Sequence, residues 1–459
     1  MTLDELLLQV KDVSLSALVW QEDVLTEDDK NKYRDSGYFI QHTKEEFEKE
    51  FPNIPVECIC YGPMISATTC LYFNKETLAV LNAPVQFVED GKSPFKLNAL
   101  LEAIEKQEKR VASGDFTSSM LVLQDSMRIE YFEKLLNLGK PVKDLYGLFI
   151  AVYTQGDYGF SNLSVETFEK IVSSKTDAQK SETASALKDL PDVITIYRGQ
   201  TVKGTPIENA YSWTLNKNVA NFFATRRGYE SAELVTATVR KDDVVEYITD
   251  RHEEEIIVRY KDLTIVDSTE LYGMETLNNL VPAVTTRFQK FKNELASIPF
   301  DHESSIHGRL HTLRVLLHCL FLSKVMGLSV ADRTALCWAS VWHDTGRLHD
   351  GVDSDHGYNS TINYKNDCLA ASVEPDPVVC FLIEYHSRDD KDGYAEIESN
   401  PALSSQKERV TLLYNIFKDA DALDRVRLDI RDLDVNMLRC PESISFTKVA
   451  RICLEQIKE

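Results

Sequence analysis

Eight of the ten histidines lie between His302 and His386, leaving only His42 and His252 for the rest of a 459-residue chain. His307, His311 and His318 are spaced i, i+4 and i+11, one side of a helix that the cap-like Ser304–Ser305 step would begin. A second apolar helix, capped by Ser329, ends in His343-Asp344-Thr345-Gly346-Arg347. Beyond it come Asp355-His356-Gly357, Tyr385-His386-Ser387 and the run Asp419-Ala420-Asp421-Ala422-Leu423-Asp424. Imidazole and carboxylate together suit a divalent transition metal that keeps an open position. Such a metal can activate water and clamp phosphoryl oxygens. Any one of these histidines alone would be an ordinary core or surface residue; the set points to a metal centre. Arg347 and Lys418 are the cations available for a substrate phosphate, though each could equally be a structural charge. His307 and His349 are expected to support ligands or structure, and His302 and His318 to be structural.

A second group sits upstream and uses other chemistry. The strand Val193–Tyr197 delivers Arg198-Gly199, where a guanidinium fork can hold phosphate while backbone comes close. Ser212-Trp213-Thr214 follows, with both hydroxyls on one face of a strand, and then Asn218–Ala224 in helical spacing. Glu253-Glu254-Glu255 leads into Ile256-Ile257-Val258. If extension begins at Glu253, then Glu253 and Glu255 share a face, but three consecutive glutamates leave the register open by one residue. Singly these are a turn, a sheet surface and a solvated face; their order gives them weight.

The elements that must position these groups can be read from periodicity. Residues 54–89 alternate as a small meander of strands, and from Phe95 to Leu190 the period is helical. Strands return between Val193 and Val258, and from about Leu277 the chain is helical, with Pro282 and Ile298-Pro299-Phe300 punctuating the entry. The expected division is residues 1–95, a mixed α/β region of unknown role; 96–270, a mixed domain with a helical lead-in; and 285–459, all-α.

Composition bounds the partners. Fifty-one basic against 73 acidic side chains leave a net charge of −22, which argues against duplex DNA and anionic membranes and favours a basic acceptor surface. Nine cysteines form no Cys-x-x-Cys pair and several sit in apolar stretches, as reduced buried thiols do. No apolar run approaches the roughly 20 residues needed to span a bilayer. Met1–Glu5 lacks a basic leader segment, so a cytoplasmic protein is expected, with export by a route that needs no N-terminal signal left open.

Residues 300–440 resemble the HD superfamily of metal-dependent phosphohydrolases, whose pattern is His … His-Asp … Asp on a helical bundle. His311, before Arg314-Val315, matches the first histidine, and His343-Asp344 matches the doublet. Asp421 matches the final aspartate, with Asp419 and Asp424 close enough to be alternatives. Arg347, Asp350, His356 and Gly357 follow a bacterial subgroup, in which His356 and His386 would serve a second metal. The resemblance implies one or two divalent ions (manganese, iron, nickel, cobalt or magnesium) and cleavage of phosphoester or phosphoanhydride bonds in a nucleotide or other phosphodiester.

Residues 120–265 resemble the Arg–Ser–Glu class of ADP-ribosyltransferases. That implies NAD as substrate, an α+β fold and a target protein as ADP-ribose acceptor. Arg198 would grip the phosphates, and Ser212 and Thr214 would order the nicotinamide pocket. Glu255 would face the charge that develops as nicotinamide leaves. Glu253, in the position that accompanies arginine acceptors, would orient the acceptor. The expected architecture is therefore multidomain: an α+β ADP-ribosyltransferase-like middle domain, then an all-α HD-type helical domain. The expected function is bifunctional, the alternative being a phosphohydrolase whose middle domain only binds nucleotide or target.

Overall fold

A computed structural model describes Asp28 and residues 44–60, 69–84, 94–156, 163–249, 252–429 and 431–457. The chain divides into two compact units between Ser185 and Ala186. In the first, β1 (Ile59–Cys60), β2 (Thr69–Phe73) and β3 (Val80–Pro84) form an antiparallel sheet. The Asn74 side chain closes the β2–β3 turn by accepting from the backbone of Glu76 (3.0 Å) and Thr77 (3.2 Å). This is the expected meander, although residues 85–89, together with His42 and the side chain of Cys70, lie outside what is described. Helices follow at Pro94–Ala112, Thr117–Val122, Asp125–Asn137, Leu145–Tyr153 and Val165–Ser173. Asp144 and Ser164 cap the last two, accepting from Gly147 (2.8 Å) and Thr167 (3.1 Å). The helical lead-in expected to belong with the middle sheet thus clusters with the N-terminal residues instead.

The second unit contains both candidate sites. Its sheet has the order β7-β8-β5-β4-β6-β9, with β4 Val193–Thr201, β5 Ser212–Thr214, β6 Ala232–Arg240, β7 Glu246–Ile248, β8 Glu255–Ile257 and β9 Leu263–Leu271. Alternation seats it: Ile194 and Ile196 are buried while Val193 and Thr195 face out. Trp213, Val235, Ala237 and Ile256 complete that core. Gly199 was expected to admit a phosphate; the structure gives it another use. A Cβ there would strike the Ala220 carbonyl and come within 2.5 Å of the Ala224 nitrogen. The missing side chain lets the Lys217–Thr225 helix lie directly on β4.

The helical region opens with Met274–Ser297, which runs through Pro282 without breaking. Leu277, Val284 and Phe291 recur every seven residues on its buried face, and this packing outweighs the one backbone hydrogen bond that proline removes. Arg309–Val325, Val330–Trp342, His356–Ala370, Pro377–Tyr385 and Lys407–Leu423 then surround a common apolar core, and Thr447–Gln456 packs against it. Ser329 caps its helix as expected, accepting from Asp332 at 3.1 Å. The regular helix after Ser304 starts only at Arg309; the Ser304 hydroxyl accepts from the backbone of Ile306 (3.0 Å) and His307 (2.7 Å) in the turn before it. His307 therefore precedes the helix that carries His311. Among the described residues no helix is long and apolar enough to cross a membrane.

Candidate functional site

Five helices converge their ends or inner faces on one His/Asp cluster. His311 comes from the first turn of Arg309–Val325, and His343-Asp344 from the end of Val330–Trp342. His356 begins one helix, His386 closes another, and Asp421 comes from Lys407–Leu423. Two glycines make the convergence possible. A Cβ on Gly346 would strike the backbone of Ser360, and one on Gly357 would sit 2.6 Å from the Glu384 carbonyl. The His356–Ala370 helix therefore approaches both the doublet and the end of the His386 helix.

Each histidine is held by its Nδ1. His311 donates to Asp424 (2.7 Å), His343 to the Ser340 carbonyl (2.7 Å), His356 to the Asp353 carbonyl (2.5 Å) and His386 to the Ile383 carbonyl (2.7 Å). The four Nε2 atoms are thereby turned inward. His343 Nε2 lies 3.2 Å from His311 Nε2, and His356 Nε2 lies 3.0 Å from His386 Nε2. Asp344 sits among them. Its Oδ2 is 3.4 Å from His311 and 3.6 Å from His343, and its Oδ1 is 3.4 Å from His356 and 3.8 Å from His386. Asp421 Oδ1 stands 3.2 Å from His311 Nε2.

This donor set calls for a cation. A carbonyl can only accept, so His356 and His386 both carry their proton on Nδ1, and two lone pairs then face each other across 3.0 Å. Burial pushes His386 down to about 3 and His343 below its ordinary value, so neither supplies the positive charge itself. Burial would also lower His311, but the carboxylates of Asp344, Asp421 and Asp424 raise it to about 10. Burial alone would raise the Asp344 and Asp421 carboxyls, yet the surrounding histidines hold both well below the usual range. Imidazole nitrogens and carboxylate oxygens at these separations can hold a metal ion. The other ligand candidates are almost wholly buried, whereas the Asp421 side chain is 31% exposed, so the cluster opens to solvent on that side.

The three aspartates of the late run separate by geometry. At about 100° per residue, Asp421 and Asp424 lie about 60° apart on the helix, while Asp419 lies about 160° from Asp421. Asp424 is fully buried behind His311 and also accepts from Arg314 Nε (2.6 Å) and Nη2 (3.1 Å). Asp419 instead accepts from the backbone of Arg439 (2.9 Å) and Cys440 (2.8 Å). Because Asp424 orients His311 without facing the cluster, Asp424→Asn should weaken metal binding about 10–100-fold without abolishing it. Calorimetric titration with Mn2+ checks this; unchanged affinity would show that Asp424 serves Arg314 alone.

The supporting residues divide as well. Arg347 Nε donates to Asp344 Oδ1 at 3.1 Å, which places its charge at the cluster. Lys418 does not serve there: it pairs with Asp390 (2.7 Å) and donates to the Arg388 carbonyl (2.5 Å), a structural use of its charge. His307 stands 3.5 Å from Asp344 and accepts at Nδ1 from Arg427 Nη2 (3.1 Å). Arg427, which no sequence spacing singled out, also donates to the Ile306 and Asp424 carbonyls. His349 is exposed and accepts from Gly351, and His302 faces Asp350 at 3.6 Å. His318 is fully buried, with neither ring nitrogen hydrogen-bonded.

The sheet group forms a separate cradle. β5 lies between β4 and β8, so Arg198, Ser212 and Glu255 arrive from three adjacent strands. Arg198 Nη1 donates to the Ser212 carbonyl (2.7 Å) and its Nε to Gln200 (3.2 Å). The Ser212 hydroxyl donates to the Glu255 carboxylate. Thr214 is buried and donates to the Glu253 backbone carbonyl at 2.5 Å. The register question resolves against simple alternation. Glu254 adopts φ 47° and the strand begins only at Glu255, so Glu253 precedes the strand and does not share a face with Glu255 by strand periodicity. Comparison of the chain with family models, curated proteins and solved structures finds no match.

Proposed function

We propose that the protein is bifunctional: a metal-dependent phosphohydrolase at the His/Asp cluster, joined to an NAD-dependent mono-ADP-ribosyltransferase at the sheet cradle. The observation that carries the first activity is the inward turn of four Nε2 atoms around the two oxygens of Asp344. His311, His343, Asp421 and Asp344 Oδ2 would hold one divalent ion; His356, His386 and Asp344 Oδ1 would hold a second. Bound there, such ions supply Lewis-acid charge stabilisation and a nucleophile at neutral pH. The protein groups have their own tasks. Asp424 and the three backbone carbonyls fix the rings, and Arg347 beside Asp344 is the cation placed for a substrate phosphate. The opening at Asp421 suits a nucleotide or other phosphodiester entering from solvent.

For the second activity, the support is the Ser212–Glu255 hydrogen bond beside Arg198. Ser212 holds the Glu255 carboxylate still, and a fixed carboxylate stabilises positive charge developing on the ribose as nicotinamide departs. Arg198, on the strand beside Ser212, is the cation there that suits the NAD diphosphate. The acceptor is a protein side chain; Glu253, the residue that would select arginine, approaches from the loop before β8. The alternative, a phosphohydrolase whose sheet only binds nucleotide, differs in one measurable respect. Labelled NAD incubated with the full chain should release nicotinamide and mark an added basic protein, and bis(4-nitrophenyl) phosphate should be cleaved with Mn2+ but not after chelation. Cleavage without NAD turnover, with several acceptors present, would leave the alternative; neither activity would remove both readings.

A further inference from the structure

One helix touches the structures behind both candidate sites. Lys217–Thr225 starts three residues after Thr214, with Asn216 as its cap. The Thr214 hydroxyl accepts from the Asn216 backbone (3.0 Å) while donating to the Glu253 carbonyl. On its other side the helix is gripped by the helical region. Asn218 donates to Asp434 (2.9 Å) and accepts from the Val435 backbone (2.8 Å). Arg431 lies over the Phe222 ring at 5.0 Å. Thr447 donates to Asn221 (2.8 Å), and the buried Lys448 ammonium and Arg451 satisfy the Ala224 (3.2 Å) and Thr225 (2.9 Å) carbonyls at the helix end. Arg425, next to the Asp424 carboxylate behind His311, donates to the Asp432 carbonyl (3.3 Å), two residues before Asp434.

We propose that this helix transmits the metal state of the His/Asp cluster to the Arg198–Ser212–Glu255 cradle; the proposal rests on the metal-binding reading of the cluster. Binding at His311 fixes the ring that Asp424 holds, and the neighbouring Arg425 is tied to Asp432, two residues before Asp434. Asn218 donates to Asp434 and accepts from the Val435 backbone, so a shift or stiffening of that turn reaches the helix start directly. The helix start is fastened to Thr214, and through it to the loop before Glu255. Coupling of this kind is reciprocal: a ligand that orders the cradle tightens metal binding by the same factor.

Hydrogen exchange on the full-length protein, stripped of metal and then supplied with Mn2+, tests the proposal. Mn2+ should slow exchange in residues 309–344, and in residues 212–225 by about fivefold or more, the low end of ordinary coupling factors. Asn218→Ala should keep the first effect and lose most of the second. Asp434→Ala breaks the same pair from the other side and serves if Asn218→Ala lowers the Tm of the metal-free protein. Slowing confined to residues 309–344 in the wild type, or equal transmission in both variants, overturns the coupling alone. No slowing in either segment overturns the metal reading and the coupling with it.

Discussion

Asp344→Asn is expected to reduce metal-dependent phosphodiester hydrolysis by well over about a hundredfold, since loss of an outer partner alone costs about 10–100-fold. Asparagine keeps the size of the side chain, so the change is one of charge and donor chemistry. One carboxylate serves both halves of the cluster, with Oδ2 facing His311 and His343 and Oδ1 facing His356 and His386. An amide replaces one of those oxygens with a donor and removes the negative charge that both positions share. His356→Ala touches only one half and should be milder, leaving an ion at His311, His343 and Asp421. Initial rates with saturating Mn2+, measured beside thermal melts that establish folding, separate the two variants. Equal losses would mean the halves do not act as separate positions.

Glu255→Gln should lower nicotinamide release by about 10²–10³-fold, the effect of removing one group aimed at transition-state charge. Glutamine can still accept from the Ser212 hydroxyl, so the cradle keeps its shape and loses its charge. Ser212→Ala should cost less, because it frees the carboxylate without removing it. Neither change lies in the metal cluster, and hydrolysis of a phosphodiester should continue in both. Nicotinamide release by Glu255→Gln at the wild-type rate would exclude Glu255 from that chemistry.

Much of the His/Asp cluster was legible because its side chains follow helix ends, where caps, glycines and apolar periodicity can all be read. His343-Asp344 after Trp342 and His386 after Tyr385 are such cases. Distances across the bundle were not legible. Nothing in the order Asp419, Asp421, Asp424 shows which of the three faces the His311 Nε2, and Lys418 could not be assigned until Asp390 was found beside it. Arg427 was missed for the same reason, since its partners Ile306 and His307 are over a hundred residues away. In the sheet, Ser212 could be placed on a strand and Arg198 at the end of one, and Glu255 to within one residue. The Glu253 position could not, because a left-handed Glu254 interrupts the pattern and no glycine announces it. Gly199 carried the opposite difficulty: a glycine visible in sequence does not say whether a ligand or a helix approaches it.

The central claim is that the His/Asp cluster binds transition metal, and elemental analysis of purified full-length protein tests it most directly. Wild type should carry at least one equivalent of a first-row metal per chain after dialysis, and the His343→Ala, Asp344→Ala double variant, shown to be folded, should carry almost none. Equal metal content in the two proteins would contradict the account.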